Sequence, residues 1–198
     1  VATLKNNRDE MKEIIRTFLS QLNESILEDV CDKFKPWSSK KQVLVNKGAV
    51  ADKLFFLNSG FAILKFKVNG KEWVRHIAQS GEFITSVESF ENNVSSEETI
   101  LAVGDFDIYY IHRDDLNSLK NKYQEIDKIY TTFITKALIA CQHRIMDLLC
   151  LNAEQYYEKL LQEKNKIMIS IPQYELASYL GIKPQSLSRI RSLCRAIS

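Results

Sequence analysis

Gln173-Tyr-Glu-Leu-Ala-Ser-Tyr-Leu-Gly-Ile-Lys-Pro-Gln-Ser-Leu-Ser-Arg-Ile-Arg191 is the stretch on which this sequence turns. Counted from Gln173, a small residue, Ala177, falls at the fifth place, where two crossing helices must approach closely. Gly181 falls at the ninth, in a turn where positive φ costs glycine little. Leu187 and Ile190 fall at the fifteenth and eighteenth, on the inward face of a second helix. Pro184 stands in that helix's first turn, where a missing N–H does no harm. The spacing predicts a helix-turn-helix.

Leu187, Ile190 and Cys194 share one face of the second helix by their i, i+3, i+7 spacing. Gln185, Ser186 and Arg189 therefore face away from the small core, and Ser188 is grouped with them. Gln can pair with adenine and Arg with guanine in a major groove, while Ser is promiscuous. Arg191 and Arg195 are cast as phosphate contacts, which give affinity without sequence choice. The plain alternative is an ordinary helical hairpin with a solvated basic face.

Upstream, a short amphipathic helix is expected after Asn152 through Tyr156, Tyr157, Leu160 and Leu161. Lys164–Lys166 reads as a polar turn, and Ile167-Met-Ile-Ser-Ile-Pro172 as a short strand. From about Asp114 past Leu149 the period is helical. Two apolar stripes run along it: Ile126, Tyr130, Phe133, Ala137 and Ala140, and, offset, Ile134, Leu138, Cys141, Ile145 and Leu148. Two stripes suit a helix buried on one side by its own domain and on the other by a partner helix. A central helix buried within a monomer would show the same pattern.

Before that helix the texture is strand-like, with candidate strands at Val43–Val45, Leu54–Leu57, Phe61–Val68, Trp73–Ile77 and Ile108–Ile111. Asn69-Gly70 between two of them signals a two-residue hairpin turn. Many short strands separated by turns argue for a small barrel or roll. Glu13–Phe34 reads as one helix, with Ile14, Phe18, Leu22, Ile26 and Val30 every four residues and Pro36 ending it. Val1–Glu10 has no visible periodicity, and Met11 is a candidate natural start.

The charge distribution separates two jobs. Residues 80–115 carry nine acids and one base, residues 159–198 seven bases and two acids. The basic end suits a polyanion and the acidic middle does not. Cys31, Cys141, Cys150 and Cys194 are scattered, without zinc or iron–sulfur spacing, so they read as small buried hydrophobes in a reducing compartment. No metal site or cofactor is expected. No nucleophile–base motif or phosphate-cradling glycine loop supports catalysis, so no catalytic residue is assigned. No signal peptide or long apolar run is visible, which leads to the expectation of a cytoplasmic protein without a membrane partner.

The order of parts resembles the Crp/Fnr (catabolite activator) family of transcription regulators. The resemblance runs from Met11 to the end. It rests on Gly48, Gly60, Gly70 and Gly81 before Glu82-Phe83-Ile84, which look like that family's β-roll glycines, and on Ile171–Ile182 with Leu187–Arg191. It implies an α+β protein: an N-terminal double-stranded β-helix (jelly-roll or cupin-like) sensor, a long dimerisation helix and a C-terminal winged helix-turn-helix. The implied divisions are 11–118, 119–150 and 151–198. The implied partners are a second copy of the chain, double-stranded DNA with two-fold-related half-sites, and RNA polymerase. An effector in the roll would alter the long helices and the spacing of the heads. Members usually continue beyond the recognition helix into a strand or wing.

The sequence departs from the cyclic-nucleotide-binding members after Gly81. No Lys or Arg lies between Glu82 and Asp105, where Glu82, Glu88, Glu91, Glu97 and Glu98 stand instead. A cyclic phosphate diester is anionic and calls for a guanidinium or oriented amides, so cyclic AMP binding in the usual mode is not expected. Any pocket is placed, from position alone, near Phe83, Thr85, Ser86 and Thr99. His76 reads as a structural or surface histidine rather than a haem ligand, and Cys31 alone cannot hold an N-terminal iron–sulfur cluster. The competing function is a ligand-sensing or protein-interaction domain that has lost specific DNA binding.

Overall fold

The computed structural model describes residues 13–37, apart from 14, 18 and 21, and residues 43–197; the side chains of 164–167 and 194–197 fall outside the description. The helix expected over Glu13–Phe34 is interrupted. Leu19 and Ser20 form a turn, and the Leu22 N–H donates to the Leu19 carbonyl at 2.9 Å, ahead of α1 (Glu24–Lys33). Asn23 is the cause: its Oδ1 accepts from the Ile26 N–H at 3.0 Å and starts a new helix. Ile14 and Phe18 lie outside the described residues, as does Met11. The buried face of α1 is Ile26, Leu27, Val30 and Cys31.

The strands that follow are β1 (Lys35–Pro36), β2 (Val43–Val45), β3 (Lys53–Val68), β4 (Lys71–Gln79) and β5 (Phe83–Ile84). After α2 (Val87–Asn92) comes β6 (Glu98–His112). They form one antiparallel sheet in the order β1-β6-β3-β4, with β2 also on β6 and β5 also on β3. Pro36 sits on an edge strand, where its missing N–H is tolerated. The segments expected as Leu54–Leu57 and Phe61–Val68 are one strand whose register against β6 slips on both sides of Ser59. Such irregularities bend a strand without ending it. Asn69 and Gly70 both have positive φ, and Val68 pairs Lys71, as the hairpin signal requires.

The helical stretch from Asp114 is two helices, α3 (Arg113–Lys122) and α4 (Gln124–Cys150). Tyr123 adopts an extended conformation between them, and its hydroxyl donates to Asp29 at 2.5 Å. Lys122 binds the same carboxylate, and these hydrogen bonds hold the Asp29 carboxyl below its ordinary range. α4 packs its first stripe inward: Ile126 and Tyr130 are buried and Phe133 half-buried. Burial, with Glu91 beside it, pushes the Tyr130 phenol well above its ordinary value. It therefore remains a hydrogen-bond donor to Glu91 at any physiological pH.

The remaining elements are α5 (Ala153–Ser170), α6 (Gln173–Tyr179) and α7 (Pro184–Ile197). Asn152 and Gln155 start α5 reciprocally, each side chain accepting from the other's backbone N–H at 3.0 Å. The turn expected at Lys164–Lys166 and the strand expected from Ile167 are both absent, because α5 runs through them. Tyr157, Leu160, Met168 and Ile171 are buried at helical spacing. A strand would have put Ile169 on the same side as Ile171, yet Ile169 is 78% exposed.

Two apolar cores result. One joins the sheet to α1, α3 and the start of α4 through Phe55, Leu57, Ile100, Ile108 and Ile111. The other is built by α5, α6 and α7 but includes Ile63, Val74 and Ile77 from the β3–β4 hairpin.

Candidate functional site

α6 and α7 pack against each other, and Ala177 of α6 is completely buried in the core that holds Leu176 and Leu187. A larger side chain there would have to displace part of that core. The turn closes with the Gly181 N–H donating to the Ser178 carbonyl at 3.1 Å and the Ile182 N–H to the Ala177 carbonyl at 3.0 Å. Gly181 has φ +72°, the left-handed conformation that ends many helices. Pro184 opens α7, and the Lys183 carbonyl accepts from the N–H groups of Ser186 and Leu187.

Leu187 and Ile190 point into the second core, and the opposite face of α7 is open. Gln185, Ser186, Ser188 and Arg189 are all exposed. They form a continuous polar strip along the first turns of the helix, with exposed Lys183 just ahead of it. Lys183 did not stand out in the sequence because it precedes the helix it flanks. Arg191 is placed differently: half-buried, it donates from Nη2 to the Met168 carbonyl at 2.8 Å. It satisfies a carbonyl in the last turn of α5 and ties α7 to that helix. The Arg195 side chain lies outside the described residues.

The four residues expected to line a pocket each have protein partners. Phe83 packs against Phe56, Phe133 and Phe34, with ring centroids 5.0, 5.8 and 6.5 Å away. It faces an apolar hollow between α1, α3 and α4. Thr85 is buried and donates to the Lys53 carbonyl at 2.9 Å. Ser86, also buried, donates to Glu98 Oε2 at 2.8 Å and accepts from Ser96 Oγ at 2.9 Å. Thr99 Oγ1 accepts from the Lys47 N–H at 3.3 Å.

A base does reach the acidic segment, from outside it. Arg75 is the extra residue where the β3–β4 register slips, since Leu64 pairs His76 and Lys65 pairs Val74. This bulge turns the Arg75 guanidinium toward Glu98, Nε standing 2.6 Å from Oε1 but off the line of a hydrogen bond. Among the glutamates Glu97 is solvated, whereas Glu98 is largely buried among Ser86, Ser96 and Arg75. Sequence spacing could not reveal this partner, because the bulge that aims it depends on the paired strand. Among the described residues no group of His, Cys, Asp and Glu could hold a metal ion, and no helix is long and apolar enough to cross a membrane.

Comparison with known proteins bears on the fold and on one domain. Residues 37–123 match the cyclic nucleotide-binding domain family. No curated protein matches the sequence significantly. FixK2 from Bradyrhizobium japonicum is 13% identical, with a TM-score of 0.71 over 82% of this chain and 84% of its own. A transcriptional regulator from Eubacterium rectale described as Crp/Fnr is 16% identical, with a TM-score of 0.69 over 89% of this chain and 85% of its own. The c-di-GMP-responsive global regulator CLP of Xanthomonas campestris is 16% identical, with a TM-score of 0.67 over 88% and 92%. Residues 37–123 are thus similar to the cyclic nucleotide-binding domain, and the chain shares the fold of the Crp/Fnr regulators.

Proposed function

We propose that this chain is a homodimeric, sequence-specific DNA-binding transcription regulator of the Crp/Fnr type, acting in the bacterial cytoplasm. Its N-terminal domain is read as a double-stranded β-helix sensor, and α6 and α7 as a helix-turn-helix with α7 entering the major groove. The observation that carries this reading is the open polar strip of Gln185, Ser186, Ser188 and Arg189 opposite buried Leu187 and Ile190. Gln185 and Arg189 are the base readers, with Ser186 and Ser188 beside them. Lys183 and Arg195 are assigned to phosphates, and Arg191 to holding the recognition helix in place.

The second copy is assigned to α4. Beyond Ile134 one side of the helix faces solvent, and Leu138, Ile145, Met146 and Leu149 are each more than half exposed. Leu138, Gln142, Ile145 and Leu149 follow a 4-3-4 spacing on this side, the seam of a two-helix coiled coil. Apolar surface of this kind calls for a cover. A two-fold pair would hold two recognition helices about 34 Å apart, one DNA turn. RNA polymerase remains the expected further partner. Cyclic AMP is not the proposed effector, since Glu98 already occupies Arg75.

Selection of bound DNA from a random pool tests this reading. The expected result is enrichment of an inverted repeat, lost in Arg189→Ala. Recovery of no sequence above background would refute it and leave a sensing or interaction domain.

A further inference from the structure

β4 is an edge strand, and an edge strand presents backbone groups that the sheet does not pair. At Val74 those groups are taken by other elements. The Val74 N–H donates to Ser178 Oγ of α6 at 2.9 Å, and Ser178 Oγ stands 3.5 Å from the Glu72 carbonyl. The Val74 carbonyl accepts from Arg144 Nη2 of α4 at 3.2 Å. The same Arg144 donates to the Tyr179 carbonyl at 2.8 Å and the Tyr156 hydroxyl at 3.0 Å, and stacks on the Tyr179 ring at 3.9 Å. One serine and one arginine therefore cover the sheet edge and join hairpin, long helix and C-terminal helices at a single point.

Beside this joint lies a buried ion pair between Lys65 of β3 and Glu175 of α6, with side chains 8% and 6% exposed. Glu72 lies farther from the ammonium, at 3.7 Å, and the exposed Tyr174 ring is 5.7 Å away. A buried charge stripped of its partner is strongly disfavoured. The pair therefore separates only if both groups reach water together, which means lifting α6 off the hairpin. Partial opening is penalised, so the contact behaves as closed or open. In the closed state the strip Gln185–Arg189 is uncovered, so docking fixes the head's direction without hiding its recognition face.

We propose that Lys65–Glu175 is a latch that fixes the C-terminal head to edge strand β4, so that the head follows the β3–β4 hairpin. The hairpin is then the route by which a change in the sheet domain reaches the head. Its consequence for DNA rests on the function proposed above: a latched head is held ready, and a released one must be reordered on binding. Apparent affinity falls in proportion to the fraction of heads in the competent position.

Hydrogen exchange on the full chain tests the latch without DNA. In Lys65→Met and in Glu175→Gln, the Val74 amide and the Leu180 amide inside the head should both lose protection, by a common factor of about tenfold or more, while the Leu57 amide keeps its own. The apolar double variant Lys65→Met/Glu175→Leu, which leaves no orphan charge, should restore both. Loss at Val74 without loss at Leu180, or no change at either, would overturn the proposal. On a selected DNA the single variants should bind about tenfold more weakly, with the double variant recovering. Unchanged affinity would overturn the claim that the latch sets the head. If the wild-type chain enriches no DNA, the DNA reading fails and the exchange result alone judges the latch.

Discussion

The two apolar cores are supported in different ways. The sheet domain fills its interior from its own strands and the helices next to them in sequence, with Phe55, Leu57, Ile100 and Ile111 almost inaccessible. The C-terminal helices fill theirs only by enclosing Ile63, Val74 and Ile77 from a hairpin about a hundred residues earlier in the chain. Small units bury a low fraction of their surface and are hard to stabilise alone. Three helices gain by leaning on an edge strand, and the edge strand gains a cover. The sheet domain should therefore tolerate damage to the head better than the head tolerates damage to the hairpin.

The sharpest way to break that contrast is Ile77→Ala. Ile77 belongs to β4 but is 1% exposed within the head's core. Truncating such a residue costs about 2–5 kcal/mol. The loss should fall on the head, with the Leu176 and Leu180 amides exchanging faster while Ile108 in β6 stays protected. If Ile108 loses protection first, the hairpin serves the sheet more than the head, and the contrast fails.

A smaller effect is expected at the turn between α6 and α7. Gly181→Ala places a side chain at φ +72° without a clash, the nearest neighbour of a new Cβ being Leu148 Cδ2 at 3.8 Å. The cost is therefore conformational, about 1–2 kcal/mol. It should appear as a lower melting temperature for the head, and any DNA affinity should drop because α7 is displaced. An unchanged melting curve would mean that the turn does not fix the angle between the helices.

The parts legible in the sequence are those whose cause is local. Asn69-Gly70 specifies its turn through backbone conformation alone, and Ala177, Gly181 and Leu187 specify the packing of two helices by size and φ. The parts that escaped depend on distant partners. The alternation of Ile167, Ile169 and Ile171 resembles a strand, but Met168 is drawn into the head's core and the segment stays helical. Tyr123 breaks a helix-periodic stretch alongside its bonds to Asp29, 94 residues away. The bond from Arg191 to the Met168 carbonyl of α5 could not be read from the spacing within α7. Lys65 sits among apolar strand residues with no hint that Glu175 will meet it, and Arg75 reaches Glu98 only because of a bulge. Phe83, Thr85, Ser86 and Thr99 are grouped by position alone, and their individual partners are not legible in the sequence. On adjacent short elements, neighbouring side chains point to different surroundings.

The smallest effect belongs to the solvated side of the sheet domain. Lys47 and Glu97 form an ion pair 2.7 Å long, with side chains 45% and 77% exposed. On distance alone it matches the buried contacts, yet water already solvates both groups, and ordering two long side chains offsets most of the attraction. Exposed pairs of this kind contribute about 0–1 kcal/mol and weaken with salt. Glu97→Gln should therefore leave the melting temperature and head exchange unchanged within error, at low and high salt alike. A loss comparable to Ile77→Ala would mean that the acidic segment 80–115 supports the fold through its charges. That result would also undercut the contrast between a self-supported sheet domain and a head held by burial, since burial would no longer separate the contacts that matter from those that do not.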